Sequence, residues 1–267
     1  MPKVSIITVN YNNPDGIKKT YQSIVKQTYK DWEWIVIDGG SGQNDIDFIR
    51  QHEEQIAYWC SEPDNGPYNG MNKGIGKAHG QYLVFMNSGD LFYDTEVLQH
   101  VFEQPRESDV LYGDWTEITV QGKMTIKHAP KVFSLHALYY NNICHQAMFI
   151  KSNLLKESPY DESYTLFADW AKWFELILAK CTFEYVPYIV CRFQLGGMSN
   201  TRMDIAPKEL ERLRTEEVPD SIRETINCID DKVNIHPLAY EANCLIKKKK
   251  IYKKIIHMAI RIIHLID

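Results

Sequence analysis

Tyr82-Leu83-Val84-Phe85-Met86-Asn87-Ser88-Gly89-Asp90 is an apolar run that stops on a polar turn ending in an acid. Five such residues are too few for a helix and match a buried strand. The pattern occurs twice upstream: Val4–Val9 runs into Asn10-Tyr11-Asn12, and Trp34–Ile37 runs into Asp38-Gly39-Gly40-Ser41. Helical stretches separate the three strands, so they are expected to lie parallel in one sheet. Parallel strands bring their carboxyl ends to a single edge, where open α/β sheets hold ligands. Carboxylates on that edge without nearby basic partners suit a bound cation or the hydroxyls of a sugar nucleotide.

The intervening segments support the alternation. Pro14-Asp15-Gly16 opens a helix near Ile17–Lys26, with Ile17, Tyr21, Ile24 and Val25 on one stripe. A helix is expected around Ile46–His52, then a short strand at Ala57–Cys60 ending in the turn-rich Ser61-Glu62-Pro63-Asp64-Asn65-Gly66. Tyr68–Ala78 reads as a helix with Met71, Ile75 and Ala78 inward, closed by Gly80. The later pattern is less regular. Asp109–Tyr112 reads as a strand ending at Gly113-Asp114, and Thr116–Thr119 with Lys123–Lys127 as a hairpin about Val120-Gln121-Gly122. Ala147–Ile150 and Tyr185–Phe193 are further strands. Ala168–Lys180 places Trp170, Trp173, Phe174, Ile177 and Leu178 on one helical face. The expected organisation is a ligand-binding half (1–95), the remainder of the same domain (96–200), a charged helical extension (201–240) and a basic tail helix (241–267).

A chain of 267 residues has ample length for a real core, and its net charge of −5 argues against general nucleic-acid binding. With 16 Tyr and 6 Trp, aromatics exceed what packing usually needs; they serve either the core or the faces of sugars and bases. The six cysteines include no C-x-x-C pair and are expected as reduced thiols of a cytosolic protein. Met1-Pro2-Lys3 passes straight into a strand, so no leader peptide is expected, and no apolar run reaches the length of a membrane span. In the tail, Lys247–Lys250, Lys253, Lys254 and Arg261 accompany Ile251, Ile255, Met258 and Ile262 at helical spacing. Such a helix either attaches to an anionic membrane surface or packs on the domain or a second copy.

Asp90 ends a strand, as a magnesium-binding carboxylate can when a diphosphate supplies further oxygens, or it is an Asx-turn residue. Asp38 precedes two glycines and either accepts hydrogen bonds from a base or ribose, or caps a helix that Ser41 could cap instead. Asp64 lies in a Pro/Gly loop at the same sheet edge by the strand count, as a ligand-facing acid or a turn residue. Asp169 opens the aromatic helix, as a dipole-favoured acid or a general base, and His145 is a core or a site histidine. G-x-G-x-x-G after the first strand, the P-loop, H-E-x-x-H and G-x-S-x-G are all absent from the sequence.

The ordered series Val4-Ser5-Ile6-Ile7-Thr8-Val9-Asn10-Tyr11-Asn12, Ile35-Val36-Ile37-Asp38-Gly39-Gly40-Ser41, Glu62-Pro63-Asp64-Asn65-Gly66, Met71-Asn72-Lys73-Gly74-Ile75 and Phe85–Asp90 resembles family-two glycosyltransferases of the GT-A fold. It continues through Tyr112-Gly113-Asp114, His145-Gln146-Ala147, Phe167-Ala168-Asp169 and Gly196-Gly197-Met198-Ser199, covering roughly residues 3–200. Bacterial enzymes of capsule, O-antigen and exopolysaccharide synthesis are most similar. The resemblance implies an α/β GT-A fold with a mostly parallel, Rossmann-like sheet flanked by helices. It implies inverting transfer from a nucleotide-sugar, a UDP-sugar, to a hydroxyl of a glycan or lipid-linked acceptor. Thr8, Tyr11, Asp38, Asp64 and Asn72 match donor-binding positions, and Asp169 matches the catalytic base. Asp90 matches the second acid of the D-x-D element that holds Mg²⁺ or Mn²⁺. Where that element usually reads Asp-Ser-Asp-Asp, this chain has Asn87 and Gly89, so coordination rests on Asp90 alone. Asp114 and His145 are acceptor-site candidates, and Trp115, Tyr139 and Tyr140 are candidates for shaping the pocket in the less regular second half. The implied location is cytoplasmic, peripheral at the inner face of the membrane through the tail. A sugar-phosphate nucleotidyltransferase and a non-catalytic glycan-binding module are the competing readings.

Overall fold

The computed structural model of the chain describes residues 1–197, 202 and 204–235. β1 (Val4–Asn10), β2 (Trp32–Asp38), β3 (Tyr58–Ser61) and β4 (Tyr82–Phe85) pair in parallel in the order β3-β2-β1-β4. Burial is continuous along β1 and β4, as parallel strands covered on both faces require. The crossovers are α1 (Pro14–Val25), α2 (Gln43–Gln51) and α3 (Pro67–Lys77). Asn13 caps α1, its side chain accepting from the Gly16 N–H at 3.1 Å, and Pro14 fills the first helical position.

The second half extends this sheet. β8 (Met148–Lys151) runs antiparallel to β4, and β6 (Val110–Ile118) antiparallel to β8. β9 (Phe183–Gln194) then pairs in parallel with β6, and β5 (Leu91–Phe92) closes the far edge against β9. β7 (Met124–Lys127) pairs with β6 off the main path of the nine-stranded sheet. Only β5, β7 and β8 oppose the common direction, so the sheet is mixed but mostly parallel.

One expectation fails instructively. Gly113 does not end a strand: β6 runs through it to Ile118, with register shifts against β9 between Tyr112 and Trp115. A Cβ at Gly113 would lie 2.6 Å from the Tyr188 carbonyl oxygen, so the glycine admits a neighbouring strand there. The helices of this half are α4 (Val97–Phe102), α5 (Leu135–Tyr140), α6 (Ser152–Glu157), α7 (Ala168–Leu178) and α8 (Ala206–Glu216).

Met1–Glu217 forms one compact unit. Val218–Asp267 forms the second, and its described part is α9 (Asp220–Ile235). The charged helical extension expected over 201–240 thus holds two helices among its described residues. Pro219 lacks an N–H and disfavours helical backbone at Val218, which accounts for the break. Met198, Ser199 and the basic tail 241–267 lie outside the described residues. Cys60, Cys144, Cys181, Cys191 and Cys228 are free thiols.

Candidate active site

A cleft of about 970 Å³ opens along the carboxyl ends of β1, β2 and β4. Its opposite wall comes from β6, the end of β9, a 3-10 turn at His145–Ala147 and the segment entering α7. Among the sequence-selected residues, Tyr11, Asp64, Asp90, His145 and Asp169 line it.

Asp90 is placed by the turn after β4. Gly89 takes a φ of +103°, and Thr20 of α1 clamps the turn: its hydroxyl accepts from the Gly89 N–H at 2.9 Å and donates to the Asp90 carbonyl at 2.8 Å. The Asp90 carboxylate is buried, with Oδ2 accepting from Gln146 Nε2 at 2.6 Å and Oδ1 from the Gln194 N–H at 3.2 Å. Burial pushes its pKa up to about 6, against the opposing pull of those two hydrogen bonds.

Asp169 sits in the first turn of α7, also buried. Its Oδ2 accepts from His145 Nδ1 at 2.9 Å, and its Oδ1 from the Tyr68 hydroxyl at 3.1 Å and the Trp170 N–H at 2.7 Å. Asn87 Nδ2 lies 3.2 Å from His145 Nε2, so the ring is held from both of its nitrogens. Burial and the Asp169 charge hold the Tyr68 phenol well above its ordinary pKa, keeping it a donor. Consecutive residues, His145 and Gln146, therefore each grip one of these two carboxylates, Asp169 and Asp90. Behind this wall, Glu209 of α8 accepts from the N–H groups of Thr165, Leu166 and Phe167 at 2.6, 2.8 and 3.2 Å.

On the opposite wall, Tyr11 is 66% exposed and offers its ring to the cleft. Asp64 accepts from the Gly66 N–H at 2.9 Å and crowds Gly39, where a Cβ would lie 2.8 Å from its Oδ2 and 3.3 Å from the Tyr11 ring. The bare Gly39 backbone is what lets the tyrosine and the acid stand side by side.

Four selected residues do not line the cleft. Asp38 is fully buried and accepts from Asn10 Nδ2 (2.7 Å), the Ser41 N–H (2.8 Å), Ser41 Oγ (2.6 Å), Ser61 Oγ (2.7 Å) and the Gly40 N–H (3.2 Å). Burial would raise its pKa, but these bonds outweigh burial and hold it below the ordinary carboxylate value. Thr8 bridges the Met86 carbonyl and Trp34 Nε1, both at 2.9 Å. Asn72 ties α3 to Tyr160 and Glu162. Asp114 accepts from His128 Nδ1, the Ala129 N–H and the Tyr185 hydroxyl. Each fixes a wall segment by long-range hydrogen bonds that no spacing in the sequence encodes. The same reason hides Thr20, Tyr68, Gln194 and Glu209; only Gln146 carried a cue, its place beside His145.

Among the described residues no three His, Cys, Asp or Glu side chains gather as a metal-ligand set. Asp90 is nonetheless compatible with a hard divalent cation. Asn87 Oδ1, on the same cleft wall, is buried without a hydrogen-bond partner and is an oxygen of the type Mg²⁺ and Mn²⁺ accept. The remaining oxygens of such a site would have to come from the ligand.

Comparison with known proteins agrees on the class. The glycosyl transferase family 2 profile matches residues 5–153. An uncharacterized glycosyltransferase of Mycobacterium tuberculosis is 34% identical over 211 residues, covering 75% of this chain and 78% of its own. A PGL/p-HBAD biosynthesis glycosyltransferase of Mycobacterium bovis is 30% identical over 218 residues, covering 76% and 81%. Staphylococcus aureus TarS, residues 1–349 with UDP-GlcNAc, superposes with a TM-score of 0.64 at 17% identity, covering 84% of this chain and 70% of its own. The mannosyltransferase PcManGT of Pyrobaculum calidifontis, with GDP-Man and Mn²⁺, gives 0.58 at 14%, covering 95% and 82%. The α/β architecture is that of these GT-A enzymes.

Proposed function

The chain belongs to glycosyl transferase family 2, and from that premise we propose that it is an inverting enzyme. It moves a sugar from a UDP-sugar to a hydroxyl of a glycan or lipid-linked acceptor in bacterial surface polysaccharide synthesis. The supporting observation is that Asp90 and Asp169 line one cleft and are held by adjacent residues of one turn. A UDP donor is favoured by the likeness to TarS, which was solved with UDP and UDP-GlcNAc.

In this reading the uridine stacks on Tyr11, and Asp64 accepts from a donor hydroxyl. Asp169 takes the proton of the acceptor hydroxyl as its oxygen attacks the anomeric carbon and the nucleoside diphosphate departs from the opposite face. His145 and Tyr68 keep the carboxylate aimed, each by one donated hydrogen bond. Asp90 and Asn87 Oδ1 would hold Mg²⁺ or Mn²⁺. When bound, that cation neutralises charge on the leaving group. Thr8, Asp38, Asn72 and Asp114 act on the ligand through the walls they brace. The tail 241–267 attaches the enzyme peripherally to an anionic inner membrane face.

Asp169→Asn tests the assignment. Donor affinity by calorimetry is expected within about twofold of the original, with turnover reduced about 10³-fold. Turnover retained within tenfold would remove Asp169 as the base.

A further inference from the structure

The hairpin of β6 and β7 and the segment leading to α5 carry a surface that the chemistry above does not use. Eight large apolar side chains are exposed among the described residues. Five of them fall between positions 120 and 140: Val120 (76%), Met124 (48%), Ile126 (48%), Val132 (74%) and Tyr140 (40%). Scattered exposed hydrophobics are ordinary, but a cluster rimmed by polar groups marks a contact surface. No Asp or Glu occurs between Glu117 and Glu157, although the whole chain is acidic. That stretch instead brings Lys123, Lys127 and Lys131 among the apolar side chains. Lys127 pairs with Glu117 at 3.2 Å, whereas the exposed Lys123 and Lys131 have no acidic partner among the described residues.

The position is as informative as the composition. Val120, at the hairpin tip, lines the active-site cleft. A second cavity of about 540 Å³ shares Trp115, Glu117 and Asn142 with that cleft and is also lined by Lys127, Pro130 and Tyr140. The apolar and basic surface thus borders the way into the site.

We propose that residues 120–140 form a contact surface for an anionic lipid bilayer, holding the cleft mouth where a lipid-linked acceptor is presented. Met124, Ile126 and Val132 enter the headgroup region while Lys123 and Lys131 meet lipid phosphates. Charge selects this occupant over a second copy, since a two-fold contact would set the same unpaired lysines against each other. These residues are distinct in sequence from the basic tail 241–267. It rests on the glycosyltransferase reading for its purpose, and donor hydrolysis measured without vesicles reports that reading independently.

The test is hydrogen–deuterium exchange of the full chain with phosphatidylglycerol vesicles, beside neutral phosphatidylcholine vesicles. Amides of 119–133 are expected to slow at least fivefold with the anionic vesicles only. Lys123→Gln with Lys131→Gln should lower the partition coefficient about 30-fold. Met124→Ser with Ile126→Ser should remove the local protection while leaving donor hydrolysis unchanged. Vesicle binding without protection of 119–133, or no binding, overturns the proposal. So does partitioning indifferent to the lysine pair, or protection by an acidic protein in place of lipid.

Discussion

Asp38 at the end of β2 and Asp90 after the end of β4 look alike in sequence: a buried acid where an apolar run stops. Asp38 accepts five hydrogen bonds, is held below the usual carboxylate pKa and does not line the cleft. Asp90 accepts two, is raised to about 6 and lines the cleft. A carboxylate so fully engaged has little capacity left for a further donor, and its bonds to the Gly40 and Ser41 N–H groups fix the backbone beside the cleft. An undersaturated one is left in an unfavourable charged state, which a cation or donor relieves. The difference lies in satisfaction, not in position along the sheet.

The sharpest way to break this contrast is to neutralise each acid. Asp90→Asn is expected to lower turnover at least 10²-fold and to erase the response of activity to added Mn²⁺. It should cost no stability at pH 7.5, as read by thermal melting. Asp38→Asn should do the reverse. It sets an amide against donors in a fully buried network and should destabilise the fold by about 2–3 kcal/mol in urea titration. If Asp90→Asn unfolds the protein, or Asp38→Asn leaves its stability intact, the distinction between them fails.

The two acids also predict opposite pH behaviour in protein freed of divalent ions. Asp90 has a folded pKa raised above its unfolded value, so its favourable contribution is complete below pH 4 and is lost as pH rises through about 6. The change is on the order of 3 kcal/mol. Asp38 has a lowered folded pKa; its contribution is present above about pH 4 and is lost as pH falls through the folded value. Asp90→Asn should therefore match or exceed the original stability at pH 7.5 and lose that advantage by pH 4.5. A constant difference across that range would contradict the burial argument. The smallest effect belongs to the clamp: Thr20→Val removes a hydroxyl from the Asn87–Asp90 turn and should cost about 1 kcal/mol, with a modest rise in the donor KM.

How much of this the amino-acid pattern reveals follows from contact range. β1, β2, β4 and α7 stand out because an apolar period and a terminating turn are local, and their observed bounds fall within a few residues of those expected. The insertion of β8 between β4 and β6, and the grip of Gln146 on Asp90, join residues far apart in the chain; periodicity carries no trace of either. Gly113 misled because a glycine is read as a terminator when only its own strand is visible. Its purpose appears once Tyr188 is packed against it. Tyr11, Asp64, Asp90, His145 and Asp169 all line the cleft; the first three stand at loop ends of one sheet edge, a topological consequence, whereas the saturation of Asp38 is not.

Glu209 carries a consequence for biosynthesis. The backbone of Thr165–Phe167, which walls the cleft just ahead of Asp169, is fastened by a carboxylate more than forty residues downstream. A nascent chain that has finished its whole sheet still lacks that fastening until α8 emerges from the ribosome. A chain stopped at residue 200 is expected to keep the slow amide exchange of β1 and β4 but to exchange rapidly at 165–167, making this cleft wall a late event in synthesis.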